Sequence, residues 1–222
     1  MGLNVIMMGA PGAGKGTQAA RFARERGVPK ISTGDILREA IRTPGAIAPE
    51  VKARIEGGGL VDDETMVGIV RDRLWRPDAR VGFVLDGFPR TVGQAQALDA
   101  LMDERDNGPL IVVDVAVPES EIIRRLGSRR VCGDCGANAD PVGAGTACHK
   151  CGGRLVQRAD DDAQVVLERL KVYVQATRPV LEYYRERPTF RVVNGAQDPE
   201  RVAHDLNTMV DDAVTAGVAV NR

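Results

Sequence analysis

The sequence predicts an α/β protein built on a doubly wound, five-stranded parallel sheet, and three observations carry that expectation. Short apolar, β-rich runs recur at 4–8, 29–32, 81–85, 110–117 and 190–193. Helical patterns lie between most of them, so the strands run the same way and helices cover both faces, which is why the strands are apolar throughout instead of alternating. A glycine-rich loop follows the first run at once. In open sheets of this kind ligands gather at the carboxyl ends of the strands.

The first strand, 4–8, leads into GAPGAGKGT at 9–17. Glycines at 9, 12, 14 and 16 let backbone N–H groups close round an anion without Cβ clashes, and the helix that follows, TQAARFARER, points its positive dipole end at the same place. Strand, loop and helix in that order are the context a phosphate loop requires. Gly12, Ala13, Gly14, Lys15, Gly16 and Thr17 would surround a nucleotide's phosphates, with Lys15 reaching the outer ones. The match to G-x-x-x-x-G-K-[ST] departs at one place: Gly16 stands where the magnesium-binding hydroxyl is expected, and Thr17 comes one position later. The second strand runs into Ser32-Thr33-Gly34-Asp35 and the third into Asp86-Gly87-Phe88-Pro89-Arg90, so a single cleft can collect three polar segments. Asp86 has two readings. It is either an acid that holds magnesium, directly or through water, or a turn residue; a phosphate loop nearby favours the first.

Two segments interrupt the alternation of strand and helix, leaving 1–32, 62–128 and 159–222 as the core. The first insertion, 33–61, reads as helical, with a turn at Thr43-Pro44-Gly45 and a flexible joint at Gly57-Gly58-Gly59. The second, 129–158, is rich in Gly and Cys, holds all the cysteines, and has too few large apolar residues to bury a core unaided. Cys132-x2-Cys135, twelve residues, then Cys148-x2-Cys151 forms two knuckles, each with a glycine after its second cysteine, at the spacing of one tetrahedral structural Zn²⁺. Two disulfides are the alternative, disfavoured in a reducing cytosol, as is C-x-x-C redox chemistry, which wants a βαβ setting. His149 lies between the last two cysteines and is expected at the surface, because four thiolates already fill the shell. His204 is expected on a face of the amphipathic last helix. No G-x-S-x-G or H-E-x-x-H occurs.

Thirty basic residues against 31 acidic ones leave a net charge of −1, without the basic excess of a nucleic-acid footprint. No charged-then-apolar leader opens the chain and no apolar run approaches about 18 residues. The expectation is a soluble, cytoplasmic protein with neither a nucleic acid nor a membrane as partner.

Six segments in order, GAPGAGKGT at 9–17, ISTGDILR at 31–38, GGLVDDE at 58–64, LDGFPRT at 85–91 with Gln94, SRRVC at 128–132 and QRADD at 157–161, closely resemble the adenylate kinases, specifically the long, zinc-containing bacterial form. The resemblance covers essentially the whole chain. It implies reversible transfer of the terminal phosphoryl group of MgATP to AMP, giving two ADP, by in-line displacement stabilised by Mg²⁺, Lys15 and arginines. By the same likeness 33–61 is an AMP-binding insertion, 129–158 is a mobile lid that closes to exclude water, and the protein is a monomer.

Carried over by position, Thr33, Arg38, Gly59, Val61, Gly87, Arg90 and Gln94 would hold AMP. Lys15, Arg90, Arg129, Arg158 and Arg169 would be the catalytic cations round the transferred group, with Arg158 and Arg169 also reaching AMP. Arg125 matches the position whose guanidinium lies on the ATP adenine, and backbone at Gln197 the adenine edge contact. One stretch departs from the family pattern: Ala137-Asn138-Ala139 replaces the aromatic, apolar run common after the first knuckle. The chemistry agrees. A monophosphate's second pKa is about 6, so the attacking oxygen needs no general base. A UMP or CMP kinase shares the loop and the DGFPR segment but generally has a short lid without cysteines; a nucleotide switch without turnover leaves the second phosphate site purposeless.

Overall fold

The computed structural model describes residues 2–43, 48–139 and 146–220. Five strands form one parallel sheet: β1 (Leu3–Met8), β2 (Lys30–Ser32), β3 (Gly82–Asp86), β4 (Leu110–Ala116) and, near the end of the chain, β7 (Phe190–Asn194). Their spatial order is β2-β3-β1-β4-β7, which puts the first strand in the middle. The remaining two, β5 (Val131–Cys132) and β6 (Leu155–Val156), pair antiparallel in the cysteine segment.

Residues on successive positions of β1 face opposite helical layers. Ile6 and Met8 join Phe83, Leu85 and Val112 against helices α4 (Asp63–Leu74), α5 (Val92–Arg105) and α8 (Arg178–Tyr184). Val5 and Met7 join Val84, Ile111 and Val113 against α1 (Lys15–Arg26) and α9 (Pro199–Val220). Side chains alternate along a strand, so a sheet covered on both sides requires apolar residues at every position. The continuous apolar runs in the sequence are the trace of that burial.

α1 begins at Lys15, two residues before the expected start, because Gly14 takes a left-handed φ of 92° and turns the chain into the helix. It buries Gln18, Ala19, Phe22 and Ala23 on one face and stops at left-handed Gly27. The insertion 33–61 contains α2 (Thr33–Arg42), capped by the Ser32 hydroxyl on Asp35 N–H, and α3 (Pro49–Glu56). The expected turn at Thr43-Pro44-Gly45 lies largely outside the described residues. Gly57-Gly58-Gly59 is a packed turn, where composition had suggested a loose joint. Gly58 is buried at φ 85°, and a Cβ there would lie 2.8 Å from the Arg169 side chain and 3.3 Å from Val165.

The third strand runs one residue later than expected, since Val81 closes a tight turn at Pro77–Val81 and is exposed. The shift places Asp86 on the last strand position, paired with Met7. α6 (Glu119–Ser128) leads into the cysteine segment and α7 (Ala163–Val172) leaves it. Between α7 and α8 the chain widens into a single π-type stretch, Tyr173–Thr177. Pro179, just inside α8, has no N–H for the carbonyl four residues back, which leaves that turn free to expand.

At Gly82 the φ is 121° and a Cβ would stand 2.3 Å from the Leu3 carbonyl oxygen, in the pair that starts the β1–β3 ladder. Gly82→Ala should therefore destabilise the fold by about 2–4 kcal/mol through backbone strain and overpacking. A urea melt in which the variant matches the parent would contradict this packing.

Candidate active site

The carboxyl ends of β1, β2 and β3 open into a cleft that brings together segments far apart in sequence. After β1, the loop turns at Gly9, Gly12 and Gly14, all at positive φ. Gly14 caps α1 without any side-chain bond, which leaves the helix's positive end open to an anion. Lys15 folds back over this loop and donates to the carbonyl oxygens of Gly9 and Ala10, both at 2.7 Å. Burial pulls its ammonium down to about 8, assisted by Arg90 and Arg169 and opposed by Asp86 and Asp114.

Gly16, the departure in the loop motif, sits against Asp86. A Cβ on it would lie 3.1 Å from Asp86 Oδ2, so a larger residue there would crowd the carboxylate. Asp86 also faces Lys30 Nζ at 3.6 Å and is half-buried, an arrangement suited to a cation held beside the loop.

Two adjoining cavities open from this point. The first is lined by Thr33, Arg38, Gly59, Val61, Gly87, Arg90, Gln94 and Arg169, eight of the nine residues expected round AMP. The second is lined by Gly9, Lys15, Arg90, Arg169 and Tyr173 among others. Gly58, Leu60, Gly87, Arg90 and Arg169 belong to both, so the cavities share a cationic wall. Arg90 is fixed at three points: its Nε donates to Gly87 O at 2.8 Å, its N–H to Gln94 Oε1 at 2.7 Å, and its carbonyl accepts from the Thr177 hydroxyl at 3.0 Å. Desolvation lowers the pKa of Arg90, and takes Arg169 down to about 10.

Arg129 and Arg158 line neither of these two cavities. A pair of acids holds them next to Arg169. Arg158 forms a bidentate pair with Asp160 at 2.8 and 2.6 Å, and Arg129 forms one with Asp161. Arg169 donates to the Asp160 carbonyl at 2.8 Å and bridges both carboxylates. Arg125 is bound by Glu121 at 2.6 Å and reaches Ala13 O of the glycine loop at 3.4 Å. Gln197 lies beyond β7, its side chain on Asn194 O and Asp205, and it also lines neither cavity.

The four cysteine sulfurs lie within 4.8 Å of one another. Cys132 and Cys151 are 3.4 Å apart and Cys135 and Cys148 3.7 Å, too far for disulfides. Tetrahedral thiolates at a metal–sulfur distance of about 2.3 Å would be about 3.8 Å apart, so the group has the size of a metal shell. Backbone N–H groups of Cys135 and Lys150 point at Cys132 and Cys148 sulfurs, at 3.5 and 3.3 Å, as outer donors do in such sites. His149 is exposed and stands outside the group.

Sequence reading named the arginines but not what holds them. Asp160 and Asp161 appeared only as letters of QRADD; the signal was a pair of adjacent acids two positions after a basic residue. Asp114, partly buried in the second half of β4 with its pKa raised by desolvation, was visible only as one acid in an apolar run. Thr177 gave no signal, because the Arg90 carbonyl it binds lies 87 positions away.

A family model described as adenylate kinase matches residues 7–189. An adenylate kinase of Archaeoglobus fulgidus is 43% identical over 213 residues, covering 94% of this chain and 98% of that protein. One from Geobacillus sp. is 42% identical over 212 residues, at 94% and 98% coverage. One from Staphylococcus epidermidis is 41% identical over 213 residues, at 94% and 99%.

The Asp161 side chain is fully buried and balances Arg129 and Arg169. Asp161→Ala should cost about 2–3 kcal/mol, below the value for a wholly buried pair because Arg129 keeps some contact with water. Asp161→Asn, which retains an acceptor, should cost less. Equal stability of the alanine variant and the parent in chemical denaturation would remove the pair from the list of structural supports.

Proposed function

The chain belongs to the adenylate kinase family and is an enzyme, a nucleoside monophosphate kinase; on that premise we propose that it transfers the terminal phosphoryl group of MgATP to AMP, reversibly, giving two ADP. The observation that carries this reading is the pair of cavities with one shared wall of Arg90 and Arg169, beside the glycine loop and Lys15. A transfer between two phosphates needs two anion sites meeting at a cationic point, whereas a switch needs one.

In this reading the loop from Gly12 to Thr17 and the end of α1 hold the ATP phosphates, with Arg125 beside the adenine and backbone near Gln197 at its edge. AMP occupies the cavity of Thr33, Arg38, Gly59, Val61, Gly87 and Gln94, its phosphate on Arg90. Lys15, Arg129, Arg158 and Arg169 meet the transferred group. Asp86 would hold Mg²⁺, through water, and the ion would supply charge neutralisation between phosphates. The AMP oxygen arrives already deprotonated, since its pKa of about 6 lies below neutrality. Alignment and charge stabilisation then remain as the protein's tasks, and closure of the 129–158 lid keeps water from the phosphoryl group. The core is 1–32, 62–128 and 159–222, and 33–61 is the AMP-side insertion. The enzyme acts as a cytoplasmic monomer.

A coupled assay of ADP formation from ATP and AMP tests the reading, and Lys15→Met should lower the rate about a hundredfold to a thousandfold while leaving a folded protein. The ammonium also predicts a pH effect. Free Lys15 loses its proton as pH rises through about 8, while bound phosphates would hold it. ATP binding should therefore take up a proton above that pH and weaken by up to tenfold per unit. Calorimetry in buffers of different ionisation enthalpy reads this directly; no uptake near pH 8.5 would take Lys15 off the phosphates.

The four cysteines hold one Zn²⁺ per chain in a structural role, as four thiolates leave no open position for substrate. Binding free energy at such a site is folding free energy, on the order of 10 kcal/mol gross. Chelation, or Cys148→Ser, should lower the melting temperature and expose the lid to protease before the core. A metal-free protein that melts with the holo form would end this assignment.

A further inference from the structure

We propose that Asp63 sets the purine specificity of the AMP cavity by fixing which way round the Gln94 amide faces. The proposal rests on the reading of Gln94 as the acceptor-base contact, and it adds a residue that never touches the ligand.

Gln94 is 2% exposed and lines the cavity. Its Oε1 accepts the Arg90 backbone N–H at 2.7 Å, and its Nε2 donates to Asp63 Oδ1 at 2.8 Å. Asp63 Oδ2 takes the Thr91 hydroxyl at 2.6 Å, and that hydroxyl in turn accepts the Gln94 N–H at 3.1 Å as the cap of α5. The carboxylate is thus held by a closed ring of bonds and cannot swing away.

An amide looks alike in outline either way round, so only its partners choose the orientation. Here one partner is solely a donor, the Arg90 N–H, and the other, an ionised carboxylate, solely an acceptor. Turning the amide over would set N–H against N–H at Arg90 and oxygen against oxygen at Asp63. Both contacts would be repulsive in a place with little water to relieve them.

In the fixed orientation one Nε2 hydrogen and one Oε1 lone pair remain for a base. Adenine offers N1 as an acceptor and its 6-amino group as a donor, which matches. A 6-oxopurine offers N1–H as a donor and O6 as an acceptor, which matches the reversed amide. Asp63 therefore favours adenine over hypoxanthine and guanine by denying the amide its second state, and it is a positioning residue.

The test measures kcat/KM for AMP and for inosine monophosphate, with ATP as donor, in the parent, Asp63→Ala, Gln94→Ala and the double variant. Asp63→Ala should cut the AMP preference by about tenfold, the scale of one lost hydrogen bond to a charged group, with the KM for ATP little moved. The same change on the Gln94→Ala background should have no further effect on that preference. Asp63→Asn, which keeps its shape and one acceptor oxygen, should restore most of it and guards against a folding defect in the alanine variant. If Gln94→Ala lowers the preference and Asp63→Ala does not, the orientation argument is overturned while the base contact stands. If Asp63→Ala acts equally on both backgrounds, it does not work through the amide and the proposal falls. If Gln94→Ala leaves the preference intact, the base-contact reading fails and takes the proposal with it.

Discussion

A cleft that receives two anions has to keep its own cations together before either arrives, and this constraint organises most of the molecule's polar structure. Lys15, Arg90 and Arg169 converge on one wall, and burial disfavours the charge on each. Left alone they would repel one another or draw in solvent. The fold answers with acids set one step behind the wall: Asp160 and Asp161 on the arginines, Asp86 and Asp114 near the lysine. Because Asp161 is fully buried, its two arginine contacts are less screened than a surface pair's and hold the guanidiniums in fixed directions. A site arranged this way has its dipoles and charges in place ahead of the substrate, which is the form of electrostatic stabilisation that needs least rearrangement during reaction.

The sheet delivers these groups to one place. With β1 in the middle and every neighbour parallel, the residues after β1, β2 and β3 emerge at the same edge, although they are numbered near 9, 33 and 87. Parallel pairing forces each connection to cross over through a helix, and α1 and α5 both begin at that edge with their positive ends toward it. The cap of α5 is Thr91, directly after Arg90, so the residue that starts the helix also belongs to the ring that orients Gln94. Local capping and ligand-side geometry are one structure here.

What the sequence revealed follows from what leaves a periodic or spaced trace. Doubly buried strands leave continuous apolar runs, a phosphate loop leaves glycines between a strand and a helix, and paired thiolates leave C-x2-C. All five sheet strands were legible within two residues, and so was the cysteine group. Partners between segments leave no such trace. Asp63, Thr177 and Asp161 act through residues 31, 87 and 32 positions away, and only folding brings them to Gln94, Arg90 and Arg129. The triple glycine misled for a related reason. Composition reports freedom in the unfolded chain, while Gly58 is glycine because the Arg169 side chain passes within a Cβ's reach.

The cysteine segment poses the opposite problem from the rest of the chain. Among its described residues Val131, Cys132 and Cys148 are buried, and the two-residue strands β5 and β6 bring few backbone bonds. Apolar burial at about 25 cal/mol per Å² from so few side chains cannot offset the entropy of ordering some thirty residues. A four-thiolate centre can, because it stabilises through a handful of strong bonds at one point and needs no interior volume. The segment joins the rest of the chain at its two connections. Those connections carry Arg129 and Arg158, each bound to one of the adjacent acids. Asp160 and Asp161 therefore tie both ends of the cysteine segment to Arg169 of the cationic wall, which makes these two acids the joint between that segment and the part built on a hydrophobic core.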